Sequence, residues 1–199
     1  VADLEEYCTD KNVTGNIGIA HTRWATHGEP SSINAHPHYS QSKNLAIIHN
    51  GIIENYAEIK HNLIEKGIQF QSDTDTEVLV QLIDYIQTKK DISLLEAVQL
   101  ALHQVIGAYA IALLDKRTPD TIIAARKQSP LVVGIGEGEF FLGSDASPII
   151  EYTDKVVYLD DGNIAVMKLG EELKVVNILN EKLSPEGRTV DINLGQIEK

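Results

Sequence analysis

The 199-residue chain sets 17 Lys and Arg against 29 Asp and Glu, a formal net charge of −12, and is 43% hydrophobic with a single Cys. That balance predicts one compact soluble domain and argues against disorder and against a nucleic-acid binder, which needs a basic face. No apolar run approaches the roughly 18–20 residues that span a bilayer, the start lacks a leader pattern, and one thiol excludes an internal disulfide; a membrane role is not expected, and a reducing, cytoplasmic setting is.

In chain order, residues 1–16 read as the tail of a helix (Leu4, Tyr7, Cys8) running into a polar turn, and residues 17–20 as a short strand. Residues 21–41 are rich in His, Pro, Asn, Ser and Thr, which is loop chemistry. Residues 45–48 predict a buried strand that ends at Asn50-Gly51. Three helices follow. Residues 54–66 stop at Gly67, residues 74–87 open with a capping box from Thr74 to Glu77, and residues 93–105 are capped by Ser93 and Glu96. Residues 108–114, 121–125, 131–135, 140–142, 156–159, 164–167 and 173–179 then read as strands joined by short turns. Short links imply antiparallel pairing, so the class is α+β in one domain over residues 1–199.

Several features have ordinary explanations. The Gly134-Ile135-Gly136-Glu137-Gly138 run precedes a strand, whereas a phosphate cradle needs a helix N-terminus, so a glycine hairpin is expected. Asp73-Thr74-Asp75 suits a helix start, though a carboxylate fixed there can also hold an ammonium group. Five histidines (His21, His27, His36, His38, His49) fall close together, but their spacing matches no usual zinc pattern and no Cys accompanies them. Ordering of a polar loop is the better reading, and neither a metal nor another cofactor is expected. Cys8 sits among Asp3, Glu5, Glu6 and Asp10, neighbours that disfavour a thiolate, so it is read as structural or incidental.

Two segments carry chemistry. His21-Thr22-Arg23-Trp24-Ala25-Thr26-His27-Gly28-Glu29-Pro30 places a planar cation able to grip a carboxylate, the sole Trp and two hydroxyls on one loop. His49-Asn50-Gly51 offers a side-chain amide donor next to a backbone N–H, the two donors that an oxyanion hole needs. With Asp75 for an ammonium group, these residues describe a pocket for an amino acid with a reactive side-chain carbonyl. Two other readings stay open on residues alone: a non-catalytic amino-acid-binding module using Arg23 and Asp75, and a hydrolase with a Ser or Thr nucleophile and a histidine base.

These runs, with Asn34-Ala35-His36-Pro37-His38, Ser72-Asp73-Thr74-Asp75-Thr76-Glu77, Gly107-Ala108-Tyr109-Ala110, Ser129-Pro130-Leu131 and Ser144-Asp145, resemble the glutaminase (class II glutamine amidotransferase) domain of the glucosamine-6-phosphate synthases, the isomerising glutamine–fructose-6-phosphate aminotransferases. The resemblance implies an N-terminal-nucleophile hydrolase sandwich, two mainly antiparallel sheets between helix layers. It implies that Arg23 binds the α-carboxylate of L-glutamine and Asp75 its α-ammonium group, with Thr26 and His27 on a covering loop. It places Trp24 on the path of the departing ammonia, and makes an oxyanion hole of Asn50 and Gly51. It also implies a sugar-phosphate isomerase half on the same polypeptide and a homodimer at full length.

The sequence departs from that pattern at its start. The family's nucleophile is an N-terminal Cys followed by Gly-Ile, whereas this sequence begins Val1-Ala2-Asp3 and Cys8 is followed by Thr9-Asp10. The expectation is a domain without its first strand and nucleophile, and without the isomerase half, inactive alone toward glutamine.

Overall fold

The computed structural model describes residues 2–9, 11, 14–22, 29–179, 181–183 and 188–189. A short helix α1 (Ala2–Cys8) precedes strands β1 (His38–Tyr39) and β2 (Leu45–Ile53). Helices α2 (Tyr56–Glu65), α3 (Asp75–Lys90) and α4 (Leu94–Leu102) follow. Then come β3 (Gly107–Asp115), β4 (Thr121–Lys127), β5 (Val132–Ile135), β6 (Phe140–Gly143), β7 (Lys155–Tyr158), β8 (Asn163–Lys168), β9 (Lys174–Asn177), β10 (Lys182–Leu183) and β11 (Arg188–Thr189).

The strands form two antiparallel sheets, a larger one ordered β1-β2-β3-β4-β8-β9-β10 and a smaller one ordered β11-β7-β5-β6. The helices cover one face of the larger sheet through an apolar core that includes Ile47, Val78, Ile83, Val98, Ile111 and Leu113. The two sheets meet over a second core of Ala124, Leu131, Val133, Val157, Leu159 and Met167. A turn segment carrying Ala146 and Ile149 packs on the outer face of the smaller sheet against Val132 and Val156.

The capping arguments hold with one revision. Ser93 and Glu96 form the full reciprocal box at α4. At α3 the Thr74 hydroxyl accepts from Glu77 N–H, but the Glu77 carboxylate does not return to Thr74. It accepts instead from Gln71 N at 2.9 Å, Ser72 N at 2.6 Å and the Ser72 hydroxyl at 2.7 Å. Burial opposes its ionisation, yet these bonds outweigh burial and hold the Glu77 carboxyl below its ordinary value.

Two expectations are corrected. Residues 17–20 form no strand, since a strand needs a partner and no ladder neighbour lies beside them among the described residues. Asn50-Gly51 is not a terminating turn: β2 runs through it to Ile53, with Asn50 opposite Ala110 and Gly51 opposite Tyr109. The strand crosses here only because position 51 is glycine. Its φ is 125°, and a Cβ there would stand 2.2 Å from the Ala108 carbonyl oxygen.

Candidate active site

The site begins with the alternation along β2. Leu45, Ile47, His49 and Ile53 are buried on the helix side, whereas Asn50 and Ile52 are exposed on the other face. The ladder bonds alternate too. Asn44 O accepts from Lys116 N at one end, and Glu54 N donates to Ile106 O at the other, so the even-numbered residues bond toward β3. Leu45 O accepts from Ser40 N on the opposite side. The odd-numbered N–H groups, Gly51 and Ile53 among them, therefore point off the edge away from β3. β1 pairs only with Ala46 and Ile47, so it does not extend to them.

At Ile53 that outward N–H meets Asp75, whose Oδ2 accepts it at 2.8 Å. Asp75 is the first residue of α3 and is 4% exposed. Its carboxylate thus stands where a neighbouring strand would, tying the helix start to the sheet edge, with acceptor capacity left on its oxygens. On the helix side His49 Nδ1 lies 3.0 Å from Thr76 Oγ1 and 4.0 Å from Asp75 Oδ2.

The preceding loop is pinned to the same helix and its N-cap. Asp73 N donates to Asn34 Oδ1 at 3.1 Å, His38 Nε2 lies 3.0 Å from Thr74 Oγ1, and Gln41 N donates to Gln81 Oε1 at 2.9 Å. His36 packs edge-on against His38 and tilted against His21, with centroids 5.1 Å and 4.4 Å apart. His21 Nε2 reaches Asn50 Oδ1 at 2.6 Å.

These groups open on a cavity of about 690 Å³, a small-molecule size. Ile48, Asn50, Gly51, Ala110 and Ala112 come from the larger sheet, Thr74, Asp75 and Thr76 from the start of α3. Leu131, Leu142, Ser144, Asp145 and Pro148 come from the smaller sheet and its turns, and Ala20, His21, Thr22 and His36 from the loops. The Asp145 carboxyl is held below its ordinary value by the Ser147 hydroxyl and backbone N–H. Among the described lining residues there are two carboxylates, no Lys or Arg and no thiol. No group of three or more His, Cys, Asp or Glu among the described residues could hold a metal ion.

The structure brings Asn50, Gly51 and Asp75 together around one cavity. Arg23, Trp24, Thr26 and His27 lie outside the described residues; Thr22, which immediately precedes Arg23, lines the cavity. Sequence reasoning gave no role to His21 as a partner of Asn50 or to Ser144 and Asp145 as lining. The His21 contact spans 29 positions, and no local pattern signals it.

Residues 2–180 match the family described as glutamine amidotransferase domain. The chain is 65% identical over all of its 199 residues to a Bacteroides thetaiotaomicron protein named glutamine–fructose-6-phosphate aminotransferase [isomerizing], covering 32% of it. A Chlorobaculum tepidum protein of the same name is 50% identical, with 100% of the chain and 33% of the relative covered. The chain thus spans about a third of the length of the curated relatives it matches. Among solved structures it is similar to a glutamine phosphoribosylpyrophosphate amidotransferase from B. subtilis complexed with ADP and GMP. The TM-score is 0.66 and the identity 25%, over 79% of this chain and 34% of that one.

Proposed function

We propose that this chain, which belongs to the glutamine amidotransferase domain family and has the α+β sandwich of the N-terminal-nucleophile hydrolases, is the glutaminase part of an isomerising glutamine–fructose-6-phosphate aminotransferase. One observation carries the reading: Asp75 and the Asn50-Gly51 pair, distant in sequence, line one cavity at the edge of β2 that faces away from β3. The buried Asp75 carboxylate receives the α-ammonium group of L-glutamine. The Asn50 amide and the outward Gly51 N–H take the amide oxygen as it becomes an oxyanion, where preorganised donors have their largest effect. A lining with two carboxylates and no described cation needs a positive group for the α-carboxylate; Arg23, next in sequence to the lining residue Thr22, is assigned that role, with Thr26 and His27 assigned to covering the substrate and Trp24 to the path of the departing ammonia.

Attack on the amide carbon requires a nucleophile, and no thiol stands among the described lining residues. Cys8 is not one of them, so the chain alone is proposed to bind glutamine without hydrolysing it. In the complete polypeptide a cysteine thiol attacks, the tetrahedral intermediate collapses with loss of ammonia, and water releases glutamate. Ammonia passes to fructose 6-phosphate on a sugar-phosphate isomerase half of the same polypeptide, a cytoplasmic homodimer using no cofactor. Among the described residues no helix is long and apolar enough to cross a membrane.

Glutamate release and amino-sugar formation by the full-length polypeptide test this. Asn50→Ala should lower kcat about 100- to 1,000-fold with little change in KM. Asp75→Asn should raise the KM for glutamine at least about 100-fold, because a buried ammonium would lose its charged partner. Unchanged kinetics in Asn50→Ala would remove the reading.

A further inference from the structure

We propose that His21 is a positioning residue that locks the Asn50 side chain with its amide nitrogen facing the cavity; this rests on the oxyanion role given to Asn50 above. A carboxamide has a donor end and an acceptor end, and rotating it by half a turn exchanges them. Only one orientation serves. With Oδ1 toward the cavity, Asn50 would present negative charge to a developing oxyanion. Asn50 is exposed, so packing does not choose between the two. The contact to His21 does. Nε2 lies 2.6 Å from Oδ1, and a proton on Nε2 makes that atom a donor to the carbonyl end, which leaves both amide N–H bonds for the substrate side.

The ring is itself held. His21 packs against His36, His36 against His38, and His38 bonds the N-cap Thr74 beside Asp75. Three imidazoles therefore connect the donor corner of β2 to the helix start that carries the ammonium-binding carboxylate. Removing His21 would leave Asn50 present but free to turn. The loss should be smaller than removal of the amide itself, about 10- to 100-fold in kcat, with KM within about twofold.

Nitrogen-15 NMR of the uniformly labelled chain, at a pH where the ring is neutral, reads the bond directly. Protonation at Nε2, together with a shift of the Asn50 side-chain amide signals in His21→Ala, supports the lock. Protonation at Nδ1 with Nε2 accepting overturns it, because Asn50 would then point its NH₂ away from the substrate. In the full-length polypeptide His21→Gln, whose amide nitrogen can stand where Nε2 stood, should recover activity to within about threefold of wild type, whereas His21→Ala should not. Equal losses in the two variants at unchanged melting temperature would also overturn the lock. A harmless His21→Ala beside a damaging Asn50→Ala would defeat the lock and leave the oxyanion role standing. A harmless Asn50→Ala would defeat the oxyanion role, and the ring-nitrogen result would still decide the sense of the bond.

Discussion

The two faces of β2 are built for different ends. Toward the helices the strand presents Leu45, Ile47, His49 and Ile53, each no more than 4% exposed and packed against α3. On the other face, the same strand exposes Asn50, which lines the cavity, and Ile52 (41%). Side chains one residue apart thus differ in their surroundings because the strand period is two. The buried face fixes where the backbone lies, and the open face presents the chemistry that this backbone positions. A rigid strand holds a donor pair more reproducibly than a loop could.

Substitutions can break that contrast. Gly51→Ala attacks the backbone on which both faces depend. Its Cβ would clash with the Ala108 carbonyl while φ stays at 125°, and a loss above about 4 kcal/mol, or failure to fold, is expected in urea unfolding. Gly138→Ala is the control: φ is 74° but nothing lies within 4 Å, so about 1 kcal/mol is expected. A mild Gly51→Ala would mean that β2 and β3 can separate there.

Next in size is Ile47→Ala on the buried face, expected to cost about 3 kcal/mol, against under about 1 kcal/mol for Ile52→Ala on the open face. Equal costs would show that the second face is packed in solution.

Smaller than the Ile47→Ala cost is that of Glu77→Gln, about 2 kcal/mol near neutral pH, from weakening the charge-assisted bonds of Gln71 and Ser72. The Glu77 pKa is depressed from 4.5 in the folded protein. Its stabilisation is therefore complete above the unfolded value and disappears as pH falls through the lower folded value. The gap between wild type and Glu77→Gln should accordingly narrow between neutral pH and pH below 4.5 in paired urea titrations. A gap independent of pH would assign the cost to packing.

Much of the helical layer was legible in sequence because caps and apolar stripes are short-range. Ser93 and Glu96 lie three apart and close their box within one turn, and Gly67 ends α2 with φ of 87°. Seven of the nine strands from Gly107 onward among the described residues were legible from their turns, whereas the two-residue β10 and β11 are too short to leave a pattern. Asn50-Gly51 misled because the pair is common in turns, and nothing nearby in sequence shows the Ala108 carbonyl that makes glycine necessary. Residues 17–20 misled for the converse reason: an apolar run looks like a strand whether or not a partner stands beside it.

By itself the sequence determined the α+β class, the helix boundaries near their caps, and the residue types suited to an amino-acid pocket, since each depends on neighbours within a few positions. Only the tertiary structure decided that Asp75 takes the N–H of Ile53, that Gly51 faces the edge away from β3, and that His21 meets Asn50. Those facts follow from strand register and helix docking, which are settled by packing between distant segments.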